Sequence, residues 1–123
     1  MEKNVSDSNS HKEKYLMFKH DAENEGNSIP TRIEAYFNAS FHLIESKASE
    51  FGIHIQKHQN IRSMLEKNNQ IFREGTEKVW KAFHEIENQI RPGQIYGGLI
   101  DGEKLQKTKE LFQIMETVCG VIR

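Results

Sequence analysis

Apolar positions recur at helical spacing along most of the chain. Val79, Phe83, Ile86 and Ile90 follow one another at steps of four, three and four, which marks a helix with one buried face. They predict a helix from Thr76 to Ile90. Ile33, Phe37, Phe41, Ile44, Ala48 and Phe51 trace the longest such face. That helix is expected to open at Pro30 or Thr31, where Thr31 and Glu34 can form a capping box, and to stop at Gly52. A shorter, more polar helix runs from Ile55 to Lys67 with His58, Ile61 and Leu65 inward; Asn68-Asn69 then makes a turn and Gly75 a second break. Near the start, Ser10 and Glu13 suit a capping box for a helix reaching Glu25, with Leu16 and Ala22 inward. The cluster Tyr15-Leu16-Met17-Phe18 is too apolar to stay in water, so it docks on the body or meets a partner. At the far end Asp101 can cap a last helix, Ile100 and Leu105 can staple its first turn, and Leu105, Phe112, Met115, Cys119 and Ile122 carry its stripe.

Between the last two long helices lies Arg91-Pro92-Gly93-Gln94-Ile95-Tyr96-Gly97-Gly98. Pro92 biases its predecessor away from helical dihedrals, so Arg91 is expected at the very end of its helix, with a glycine-rich loop after it. No window alternates like a strand between turn residues, and no internal repeat is present. The expected fold is all-α, an up-and-down four-helix bundle with an additional N-terminal helix. Residues 1–9 are polar and rich in Ser and Asn, which suggests a disordered tail; residues 10–123 form one domain.

Composition narrows the function classes. The chain has 123 residues, a formal net charge of -1 and 28% charged residues. Strong non-specific nucleic-acid binders carry a basic excess because phosphate neutralisation supplies most of their affinity. This chain has no such excess, so an RNA contact would need a local basic patch, most plausibly at a dimer seam. No apolar run approaches a membrane span, the polar start has no secretory character, and the single cysteine suits a reducing compartment. A cytoplasmic protein without a membrane contact is the expectation. Cys119, on an apolar stripe, reads as core.

Candidate chemistry is sparse. His54 and His58 lie four apart and would share a helix face, but the residues between them are Ile55, Gln56 and Lys57. There is no general-base carboxylate there, and a cation beside a divalent metal is unfavourable. The Glu-x-x-His spacing of di-metal bundles is absent. Gly93, Gly97 and Gly98 do not fit a dinucleotide fingerprint and follow no strand. No metal and no cofactor is expected.

With its late helix ending in Arg91, four residues, then Tyr96 and a final helix, the chain resembles the HEPN family (higher eukaryotes and prokaryotes nucleotide-binding). Members are small up-and-down helical bundles, usually homodimers. Many are metal-independent ribonucleases whose motif is Arg, four to six residues, then His. Here Arg91 stands at the motif arginine and Tyr96 at the histidine, while Pro92 occupies a position the family keeps polar. The resemblance spans roughly Thr31 to Cys119 and implies a homodimer that binds RNA or a nucleotide at an Arg91/Tyr96 seam. Cleavage would suffer, because a phenol titrates near 10 and only about one in a thousand is ionised at pH 7. Arg91 can still grip a phosphate bidentately. His84, seven residues before Arg91, is expected about two turns away on roughly the same face and would assist binding, or serve as a base if the protein is an active ribonuclease. The family also implies another role, as a helical interaction or scaffold protein beside a nucleotidyltransferase partner, as in toxin-antitoxin pairs, with Tyr96 an acceptor hydroxyl. The bland reading is that Arg91 caps carbonyls at its helix end and Tyr96 packs in the bundle.

Overall fold

In the computed structural model the backbone is described for residues 2–95 and 102–120, and side chains for 8–93 and 102–120. The chain is all-helical, with no strand among the described residues. In order come α1 (Glu2–Glu23), α2 (Ile29–Ser49), a 3-10 turn His58–Asn60, α3 (Ile61–Lys67), a second 3-10 turn Arg73–Gly75, α4 (Thr76–Glu85), a π turn Ile86–Ile90, α5 (Arg91–Ile95) and α6 (Gly102–Cys119). None of the described helices is long and apolar enough to cross a membrane.

α2 is the central element. Ser28 caps it, accepting the Thr31 N–H at 3.3 Å, and Pro30 sits in the first turn where its missing N–H costs nothing. The cap is therefore one step earlier than the Thr31/Glu34 box. Ile33, Phe37, Ile44 and Ala48 are buried as the periodicity requires, and Phe41 is half-buried. Phe51 lies beyond the helix end and is exposed; Gly52 follows with φ of 74°, a left-handed turn that suits glycine.

α1 runs back along α2. Ser8 donates to the Ser46 carbonyl at 2.9 Å near one end, and Arg32 donates to the Ala22 carbonyl at 2.8 Å near the other. Helix thus begins at Glu2, where the sequence suggests a disordered tail to residue 9 and a start at Ser10. Polar contacts dock this extension, and apolar periodicity cannot register them. The inward face also differs: Tyr15 is 3% exposed, while Leu16 and Met17 are 52% and 54% exposed. Tyr15 wins the interior because its hydroxyl finds an acceptor there. It donates to Glu116 on α6, and Lys19 donates to the same oxygen at 2.7 Å. Ala22 is buried as expected.

α4 and α6 run antiparallel, with Gly75 against Val118 at one end and Gly93 against Lys104 at the other. Val79, Phe83, Ile86 and Ile90 are all buried, and so are Leu111, Phe112, Met115 and Cys119. Burial pushes the Cys119 thiol up to about 12, in keeping with its place in the core. Ile61 and Leu65 of α3 complete the interior, but residues 53–57 are extended rather than helical, and Gln56 has φ of 56°. The expected helix from Ile55 therefore shrinks to its second half.

The largest departure comes at Arg91. Helical backbone continues through Pro92 to Ile95. The Arg91 N–H reaches back five residues to the Ile86 carbonyl instead of four. Proline has no N–H to offer and its ring would strike the carbonyl four residues earlier. A widened turn just before it relieves that clash and lets the helix go on. Arg91 is accordingly inside a helical run, not at its end. Tyr96, Gly97, Gly98, the Ile100 staple, the Asp101 cap and Ile122 lie outside the described residues.

Candidate functional site

Arg91 leans onto α2. Its Nε donates to both oxygens of Glu34, at 2.9 and 2.8 Å, and the guanidinium lies 4.2 Å from the centre of the Phe37 ring. The side chain is 25% exposed, so the pair sits at the rim rather than in the core. Carboxylate and aromatic face together fix the cation's position. They also occupy it in the manner an anionic ligand would.

Phe37 connects this pair to a second cluster. The edge of His58 approaches the Phe37 ring at 5.3 Å between centres, and Phe41 flanks the same imidazole at 6.4 Å. His58 Nδ1 pairs with the mostly buried Glu87 carboxylate. A carboxylate can only accept, so the ring's hydrogen on that side belongs to Nδ1. His58 comes from the 3-10 turn before α3 and Glu87 from the π turn. Their 29-residue separation hides the pair from any local reading.

Beyond His58 opens a groove of about 250 Å³ between α3 and α4, with Ile61 and Phe83 as its apolar floor and Gln59, Arg62, Ser63, Glu66, Trp80, His84 and Glu87 around it. Arg62 lies flat over the Trp80 indole, its carbon 4.1 Å from the ring centre, and its Nε pairs with Glu66 at 3.5 Å. His84 meets Trp80 edge-on at 6.5 Å, and the Asn88 amide nitrogen lies 2.9 and 3.1 Å from its two ring nitrogens. Trp80 and His84, one turn apart on the outer side of α4, are the part of this groove a sequence reading could have found. Arg62 and His58 come from another element and left no signal.

Of the residues singled out from the sequence, His84 lines the groove while Arg91 faces α2. They do not share a face. The π turn adds a residue between them, which rotates Arg91 by about 100° relative to an unbroken α-helix. Tyr96 lies outside the described residues. His54 and His58 are not a helical pair, since His54 sits in the extended stretch. No cluster of three or more His, Cys, Asp or Glu able to hold a metal occurs among the described residues. No protein-family model matches this chain, and no curated protein or solved structure does either. Function must be argued from the residues.

Proposed function

We propose that this protein is a HEPN-like helical homodimer that binds RNA or a nucleotide at the Arg91/Tyr96 seam, without efficient cleavage. The observation that carries the reading is the state of Arg91: a partly exposed guanidinium pre-positioned by Glu34 and Phe37, next to the His58–Glu87 pair. A phosphate can replace the Glu34 carboxylate with like geometry. Binding without cleavage follows from the phenol at the motif position, which offers a hydrogen bond but little proton transfer near pH 7. The same reading takes α1, α2, the α4–α5 run and α6 as an up-and-down bundle. Support comes from the opposed pairings of Ser8 with Ser46, Glu34 with Arg91 and Gly75 with Val118.

The test is a titration of labelled single-stranded RNA and of mononucleotides against the wild-type protein and Arg91→Ala. We expect the variant to lose at least about tenfold in affinity, since charge-assisted contacts contribute roughly 1.5–3 kcal/mol. Equal binding by the two proteins ends this reading. A second reading, a helical interaction protein beside a nucleotidyltransferase, draws on the adjacent exposed Leu16 and Met17 of α1. Co-purification of a stable partner that Leu16→Glu abolishes would favour it.

A further inference from the structure

We infer that the groove between α3 and α4 is a seat for a single nucleobase, a neutral planar heterocycle stacked on the Arg62–Trp80 pair. This rests on the nucleotide-binding reading above and adds where the ring goes and why the phosphate stays out. The charges decide the orientation. Within the groove Arg62 is paired with Glu66 and His58 with Glu87, so a phosphate pushed inside would meet two carboxylates. A neutral ring meets none of that repulsion.

The surfaces are those that bases use. Rings stack on aromatic side chains and on guanidinium planes alike, and the stacking tolerates any base because every base has a π-face. Arg62 already covers the indole on one side, and its own side chain is 56% exposed. Its outer plane therefore meets solvent over the groove and can extend the stack by one ring. His84 stands edge-on beside it. The Gln59 amide and the Ser63 hydroxyl lie at the rim, where the donors and acceptors of a base edge would come.

Size restricts the occupant to one ring system. At about 250 Å³ the groove falls just below the roughly 300–1,000 Å³ of pockets that hold whole drug-sized ligands. The rest of a nucleotide must leave past His58. That residue and Arg91 both touch Phe37, which brings the exit toward the one guanidinium the seam reading assigns to phosphate.

Trp80 is the sole tryptophan, so its emission reports on the seat directly. The experiment titrates the full chain with adenosine, guanosine, cytidine and uridine, then with the 5'-monophosphates and with inorganic phosphate, following Trp80 emission and, in parallel, heat by calorimetry. We expect saturable quenching by nucleosides alone. Arg62→Ala and His84→Ala, with unchanged helical circular dichroism, should each weaken nucleoside binding, Arg62→Ala by about tenfold or more. Arg91→Ala should remove only the extra affinity that the phosphate brings. Monophosphates binding while nucleosides give neither quenching nor heat would overturn the seat and leave the seam reading intact. Nucleosides binding, with monophosphates no tighter and Arg91→Ala without effect, would keep the seat and reject the seam. Silence from every compound rejects both.

Discussion

His42 lies where α1 crosses α2, and its surroundings set a pH dependence. It stacks on Phe18 at 5.7 Å and on His11 at 5.3 Å, and the two histidine Nδ1 atoms are 3.0 Å apart, so only one of them can carry the hydrogen between them. His11 Nε2 in turn faces the buried Glu45 at 3.3 Å. Burial, then His11 and Lys14, lower the His42 pKa from its ordinary 6.5 to about 4. The unfolded chain takes up this proton near pH 6.5 and the folded chain only near 4. The neutral ring's contribution is therefore complete above about 6.5 and is lost as pH falls toward 4. After allowance for its half-exposed setting, this amounts to about 1–2 kcal/mol. Denaturant midpoints measured from pH 4 to 7 should fall on the acid side, and His42→Phe should flatten that limb. Tyr15 gives a second prediction at this scale. Its hydroxyl pKa is raised, first by burial and then by the hydrogen bond to Glu116. Tyr15→Phe removes one of two donors to a nearly inaccessible carboxylate and should cost about 1–3 kcal/mol in a urea melt.

Among the elements, the tightest fit is between the start of α4 and the end of α6. A Cβ on Gly75 would lie 2.5 Å from a Val118 methyl, closer than packed atoms tolerate. Gly75→Ala should therefore cost about 1–3 kcal/mol, and Val118→Ala in the same chain should recover part of it, which a double-mutant cycle would register as coupling. At this scale the sequence was most readable. The stripes of α2, α4 and α6 came from their apolar spacing, because those faces are buried by hydrocarbon contact alone. Periodicity failed where polar groups decide the docking. Tyr15 displaced Leu16 from the interior through its bond to Glu116, and Ser8 carried α1 back past Ser10 by bonding to Ser46. The Arg91 region failed for another reason: proline stops an α-helix, and the sequence offers no sign that a five-residue π turn will absorb it. Arg91 and His84 were legible as candidates. Their separation onto two faces was not, nor were His58 with Glu87 and Arg62 with Trp80, which are joined only by tertiary structure.

For the molecule as a whole, a net charge of -1 constrains how it can hold a nucleic acid. With Arg91 as the main phosphate contact, affinity for single-stranded RNA should depend weakly on salt. A log–log slope shallower than about -1.5 is expected, against about -0.7 per phosphate neutralised. A steep slope would point to a broad basic surface instead. Light scattering should give twice the mass of one chain if the homodimer forms, and Arg91→Ala tests whether the seam contributes to it. The π turn bears on both measurements. Removing one residue from 86–90 would let the helix relax to ordinary α geometry, with little loss of helical content. Yet everything downstream would swing by about 100°, carrying the guanidinium off Phe37 and the α6 connection out of register. A chain built this way tolerates changes of side chain in that turn far better than a change in its length. A single-codon deletion there should yield a protein that still reads as helical by circular dichroism and has lost its ligand.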